Sequence, residues 1–174
     1  VELGFRVAGR ATLRFADPTY AFAGSDTVTL GNPVEVHARD RGLIISGDIT
    51  GITVEHRNGS APELVVVVHD RGYRLARATK VATYVKTTYS DVVSQLAQAH
   101  GMKVSVDSTT AQVDYLMQVD SDLALLDTLA DRVGYDWWVE DGTLHFKKPV
   151  AGDTVELKLA DDLLAFSVRA SGLH

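Results

Sequence analysis

The stretch Asp120-Ser-Asp-Leu-Ala-Leu-Leu-Asp-Thr-Leu-Ala-Asp-Arg-Val-Gly-Tyr-Asp-Trp-Trp-Val-Glu-Asp-Gly-Thr-Leu-His-Phe-Lys147 changes its hydrophobic period halfway along. Leu123, Leu126, Ala130 and Val133 recur at i, i+3, i+7 and i+10, with Leu125 and Leu129 widening the stripe, which is the pattern of one buried helix face. Residues Asp120 to Asp122 supply caps and first-turn negative charge, and Gly134 supplies the left-handed stop. After Gly134 the period falls to two. Asp141-Gly142 is a type I′ turn signal, so Glu140 pairs with Thr143, Val139 with Leu144, Trp138 with His145, Trp137 with Phe146 and Asp136 with Lys147. One face of this hairpin then carries Tyr135, Trp137, Val139, Leu144 and Phe146, a core face. The other carries Asp136 against Lys147, a favourable cross-strand pair, and Trp138 against His145. Trp138 stands out as a large aromatic on a polar face, either covered by a second layer or acting as an interface anchor.

Upstream of this stretch, Thr88 and Ser90 are candidate N-caps, and Asp91 completes a capping box three residues after Thr88. Val92, Val93, Leu96 and Ala97 make the apolar stripe of a first helix that Gly101 ends. Short strands over Lys103–Val106 and Val113–Val119 separate the two helices. Before residue 87 the sequence reads as strands. Thr12 to Asp17 alternates until Pro18, and Val34, Val36 and Ala38 alternate with Glu35, His37 and Arg39. Leu43–Ser46 and Ile49–Glu55 are strands split by Gly47-Asp48, with Gly51 marking a bulge or sharp bend. Asn58-Gly59 is a hairpin signal. Glu63-Leu-Val-Val-Val-Val-His-Asp70 is apolar enough to be covered on both faces, and an extended stretch over Tyr73–Tyr84 follows. Beyond the hairpin, Thr154–Leu159 and Leu163–Arg169 read as two more strands. The fold class expected is therefore α+β and mainly β.

The 174 residues carry a net charge of −6, but residues 1–86 account for +2 and residues 87–174 for −8. An acidic second half repels a phosphate backbone, so no nucleic-acid partner is expected. Zero cysteines exclude disulfides, thiolate metal sites and cysteine nucleophiles. The amino terminus lacks both an initiating Met and a signal-peptide pattern, as expected of a processed fragment.

Searched for chemistry, the sequence yields little. His69-Asp70 are neighbours on a strand and point to opposite faces, so they form no base–carboxylate pair. His100 and His145 have no His or carboxylate at helical or cross-strand metal spacing except Asp and Glu on loops. Asp161-Asp162 and Asp120-x-Asp122 lack the ligand spacing of a calcium loop. Arg71, Arg74 and Arg77 would not share a strand face and read as solvated edge charges. No catalytic residue, cofactor, metal site or small-molecule substrate is expected. The candidate interface residues are Trp138 and His145.

Five blocks in this order carry a family resemblance: Gly47-Asp-Ile-Thr-Gly-Ile-Thr-Val54 with Val68-His-Asp-Arg-Gly-Tyr-Arg-Leu75; Thr87-Thr-Tyr-Ser-Asp-Val-Val-Ser-Gln-Leu-Ala97; Gln118 to Tyr135; Tyr135 to Pro149; and Leu163-Leu-Ala-Phe-Ser-Val-Arg169. Together, over about residues 6 to 169, they resemble the VgrG-like spike proteins and the phage late control D, or tail baseplate hub, proteins of contractile injection systems. Two blocks depart from the family pattern: Ala124-Leu125-Leu126 stands where aromatic residues and Phe-Leu are usual, and His69-Asp70-Arg71-Gly72 replaces the usual step.

The resemblance implies a small tail-hub β-barrel over residues 1–86, without the family's first strand. It implies an intervening α/β segment with two helices and a hairpin over 87–150, and the opening strands of a second barrel over 151–174. It further implies a non-enzymatic homotrimer adapting a sixfold inner tube to a threefold spike, with inner tube, spike tip and baseplate proteins as partners. Such a protein is made in the bacterial cytoplasm and then joins a secreted or extracellular particle or phage tail, meeting a target membrane only through that particle. The alternatives are a cell-wall hydrolase, or a carbohydrate- or protein-binding β module using Tyr135, Trp137 and Trp138.

Overall fold

A computed structural model describes all residues except 41, 153, 164, 166 and 168–174. Its first unit is one antiparallel sheet of β1 (Arg10–Ala16), β2 (Pro33–Ala38), β3 (Gly42–Glu55) and β4 (Glu63–His69), in the order β1-β4-β3-β2. β4 sits in the interior of the sheet, which is why its valine run is apolar throughout: Val65, Val66 and Val68 are buried. Ala11, Ile45, Ile49, Leu64, Val66 and Val68 form this unit's core, with Ala23 and Val28 of the β1–β2 loop packed against it. Among the described residues the sheet stays open between β1 and β2.

β3 is a single 14-residue strand, so Gly47-Asp48 does not divide it as expected. Gly47 instead permits a close crossing, because a Cβ there would run into the carbonyl of His69. Gly51 does mark a bulge: the β3–β4 register shifts between Ile49 and Gly51. Asn58-Gly59 lies in the link between these strands, with Gly59 at φ +81°, but Glu55 pairs with Glu63 and the loop is wider than a two-residue turn.

The expected extended stretch over Tyr73–Tyr84 is corrected in its first part: Arg71–Ala76 form a 3₁₀ turn. Asp70 caps that turn, its side chain accepting from the Gly72 amide at 2.7 Å, and Leu75 is buried beneath it. There follow β5 (Ala82–Thr88), α1 (Tyr89–Ala99), β6 (Lys103–Val106), β7 (Gln112–Gln118), α2 (Asp122–Val133), β8 (Asp136–Glu140) and β9 (Thr143–Lys147). β5 pairs antiparallel with β7, while β9 lies between β6, parallel to it, and β8, antiparallel to it.

Local chemistry places each terminus. Thr88 and Asp91 form the expected capping box of α1. α2 is capped by Ser121, whose hydroxyl accepts from the Ala124 amide at 3.2 Å, and ends at Gly134 with φ +64°. The hairpin register matches the expectation pair for pair. Trp137, Val139, Leu144 and Phe146 are buried with Val92, Val93, Leu96, Leu126 and Leu129 in the second core, which also takes Leu75 and, from β5, the partly buried Tyr84.

The strands expected beyond the hairpin do not form among the described residues. Residues 154–158 carry no strand, and a lone bridge joins Leu159 to Leu163. Leu164, Phe166, Val168 and Arg169 of the second expected strand lie outside the described residues.

Candidate interface at the cleft beside Trp138 and His145

The wet face of the β8–β9 hairpin brings Trp138 and His145 together as their cross-strand register requires. Their rings stack, with centroids 4.7 Å apart and planes 3° apart. Phe5 closes on the indole edge-on at 5.3 Å. Trp138 is thus half-buried under the amino-terminal arm, a cover that no local pattern announces. Burial pushes the His145 imidazole below its ordinary pKa, with Glu140 opposing the shift and Lys147 adding to it.

The arm is held by several groups at once. The Arg6 amide donates to the Trp137 carbonyl at 2.8 Å, extending the edge of β8. Its guanidinium reaches the Asp131 carboxylate, Asp136 at 3.2 Å and the Tyr135 carbonyl at 2.7 Å. At the far end of the arm, Glu2 and Arg10 exchange two backbone bonds. Gly9 donates to the buried Asp70 carboxylate at 2.6 Å. Burial raises Asp70 to about 6, although the Gly9 and Gly72 amides pull the other way. Between the arm, the first half of β3 and the hairpin lies a cleft of about 800 Å³, lined by Leu3, Phe5, Leu43, Asp70, Trp138 and His145.

Other candidate residues are engaged internally. His69 and Asp70 diverge as expected, and His69 Nδ1 lies 2.6 Å from the Thr50 hydroxyl. Arg71 and Arg74 stand on the 3₁₀ turn and Arg77 is its C-cap, so the expected strand edge is corrected, while Arg77 remains exposed. Arg74 Nε donates to the buried Asp48 at 3.0 Å, and Arg77 lies over the Tyr73 ring at 5.8 Å.

His100 has a partner that no helical or cross-strand spacing marks: its Nε2 lies 2.7 Å from Asp122, which takes Lys80 at 2.8 Å and Gln118 at 2.7 Å as well. Burial pushes Asp122 up, but the bonds from Gln118, Lys80 and His100 outweigh it and hold the carboxyl below its ordinary value. Asp161 and Asp162 sit in an exposed turn. Among the described residues, no three metal-ligating side chains converge.

Comparison with solved structures places this fold among tail proteins. The 43 kDa tail protein of prophage MuSo2 from Shewanella oneidensis superposes with a TM-score of 0.74 at 17% identity, covering 88% of this chain and 49% of that one. The E. coli c3393 protein, a type VI secretion component described as structurally similar to the T4 tail proteins gp27 and gp5, gives 0.69 at 18% identity, covering 83% and 43%. A tail protein from Neisseria meningitidis gives 0.60 at 20%, covering 80% and 41%. The chain spans less than half the length of each.

The resemblance to tail-hub proteins read from the sequence is borne out as a shared fold, α+β and mainly β. No curated protein matches the chain. A family model matches residues 14–171, which run through both units, and the chain belongs to the Alg8 N-terminal domain family.

Proposed function

We propose that the chain is the hub or spike-base region of a contractile injection machine or phage tail, a homotrimeric adaptor between a sixfold inner tube and a threefold spike. One observation carries this reading: the likeness to a prophage tail protein covers 88% of the chain, so it includes both the four-stranded sheet and the α/β unit. The division at residues 86 and 150 belongs to the same proposal, with residues 151–174 opening a second barrel. The protein acts without catalysis, through strand edges and apolar surface that hold copies together. In support, Asp17, Asp48, Asp70 and Asp122, the buried carboxylates that an acid–base reading would recruit, are each committed to internal partners.

Inner tube, spike tip and baseplate proteins are the proposed partners, with assembly in the bacterial cytoplasm before the particle leaves the cell. Among the described residues no helix is long and apolar enough to cross a membrane. A sugar-binding platform finds no support in the geometry, since Trp137 is fully buried and Trp138 is stacked on His145 with Phe5 edge-on against it. The test is light scattering and imaging of the chain extended through its second barrel. A trimeric ring is expected, and a monomer at every concentration overturns the reading.

A further inference from the structure

β3 keeps its two neighbours over different lengths. β2 pairs with it from Asp48 back to Gly42, whereas the β4 pairing starts at Asp48–His69 and runs the other way. Among the described residues, no strand therefore lies beside Gly42–Gly47 on the side away from β2. The pairing also sets where the peptide groups point. Ile49 accepts from the Gly31 amide at 2.8 Å and donates to the Asn32 carbonyl at 2.9 Å, both on the β2 side. Peptide groups alternate along a strand, so Gly47 also faces β2, while Asp48 and Ser46 face away from it. Asp48 meets β4 there. Ser46 meets no strand and turns its N–H and C=O toward the cleft beside Trp138. Leu43, Ile44, Ile45 and Ser46 all line that cleft, as consecutive residues do where a strand shows its edge rather than one face.

The rest of the cleft, about 800 Å³ in all, is apolar with an acidic end. Leu3, Phe5 and Trp138 supply apolar surface beside Leu43. Glu140 and Asp141 line it with exposed carboxylates at the tip of the hairpin. Asp70 is already committed to the Gly9 and Gly72 amides and offers nothing to a ligand. No Lys or Arg lines the cleft; Arg71 comes near Gly142 on the turn but is not one of its lining residues.

We propose that this cleft takes an extended segment of another protein, added as a strand to the open edge of β3, with apolar side chains against Leu43, Phe5 and Trp138 and a lysine or arginine toward Glu140 and Asp141. The edge supplies main-chain hydrogen bonds to any sequence, and the walls supply the selection. A basic, apolar segment is attracted by the two carboxylates and an acidic one is repelled. The same charge disfavours a second copy as occupant, since the chain itself carries a net charge of −6. The inference does not rest on the hub reading, because strand addition needs neither a trimer nor a tube.

The experiment titrates the 174-residue chain into a capped, fluorescently tagged hexapeptide of alternating valine and lysine and follows polarisation. Saturable binding is expected, and the matching valine–glutamate peptide binds roughly tenfold or more weakly. The double variant Glu140→Lys/Asp141→Asn reverses that preference, and Leu43→Asp weakens binding of the lysine peptide by a similar factor. These side chains are exposed, so an unchanged thermal midpoint shows that the variants remain folded. Binding also slows hydrogen exchange at the Ser46 amide, which a contact through surface charges alone would not do. Absence of saturable binding by the lysine peptide overturns the inference, and so does equal binding of the two peptides or binding that leaves Ser46 exchange unchanged. Self-association that Leu43→Asp abolishes, with no peptide binding, overturns it too and makes a second copy the occupant. The trimer is scored separately, by scattering of the extended chain, so a failed titration leaves the hub reading standing and a monomeric extended chain leaves the titration standing.

Discussion

The buried carboxylate of Asp70 accepts a 2.6 Å hydrogen bond from the amide of Gly9, a residue 61 positions earlier in the chain. It also accepts from Gly72, so one side chain ties the amino-terminal arm to the turn that leads into the α/β unit. Burial raises this group from its ordinary 3.8 to about 6. Between those values the folded chain holds a proton that the unfolded chain has released, so this group's contribution favours folding below pH 4 and fades as pH rises through about 6. Asp70→Asn removes the titration. The lead of the native chain over Asp70→Asn in thermal midpoint is expected to be largest near pH 4 and to shrink toward pH 7. A constant difference would show that Asp70 titrates as an ordinary carboxylate.

Arg6 fastens the same arm at its other contact. Its partners Asp131 and Asp136 are exposed or half-exposed, so truncation is cheap overall: Arg6→Ala is expected to cost about 1 kcal/mol of global stability. The local effect is larger. Cleavage within residues 1–9 by a protease should accelerate in Arg6→Ala, while hydrogen exchange in β4 stays as slow as in the native chain.

Gly47 has no room for a side chain, since a Cβ would collide with the backbone of His69, which has no flexible end to move aside. Gly47→Ala is expected to destabilise by about 3 kcal/mol, in the range of a severe overpacking. Gly59→Ala is the useful contrast. That residue has positive φ but open space around it, so the change costs about 1 kcal/mol in chemical denaturation.

The two adjacent tryptophans separate fold from assembly. Trp137 is fully buried and its indole donates to Asp127 at 2.7 Å, so Trp137→Ala should cost about 4 kcal/mol. Trp138→Ala loses the stack on His145, the edge contact with Phe5 and an exposed indole bond to Glu140 at 3.5 Å, together about 1 kcal/mol. If the cleft face is an assembly surface, Trp138→Ala weakens the extended trimer while the isolated chain keeps nearly its native midpoint.

Much of this fold was legible because neighbours along the chain create it. The capping box of Thr88 and Asp91, the stop at Gly134 and the register set by Asp141-Gly142 all depend on groups within a few residues of each other. The turn at Arg71–Ala76 escaped that kind of reading. Its cap is local, but Leu75 is held in place by a core assembled from α1, α2 and the hairpin. The broken strand expected at Gly47-Asp48 failed for a related reason. The Gly47-Asp48 pair argued for a break, whereas the close passage of His69 requires the glycine within a continuous strand.

The sequence by itself determined the fold class, the two helices with their ends and the face that each hairpin residue presents, because hydrophobic period and turn chemistry act over one or two turns of chain. Only the tertiary structure decided what meets across long separations. Asp122 collects Lys80 from 42 residues away and His100 from 22, Arg6 reaches Asp131 across 125, and Phe5 covers Trp138. The exposed apolar row of Val85, Tyr115 and Met117 on the β5–β7 pair belongs with these. β5 and β7 are separated in sequence by α1 and β6, and alternation within either strand alone does not show that their open faces merge into one surface. Such partners are chosen when whole elements pack, and no local spacing encodes that choice.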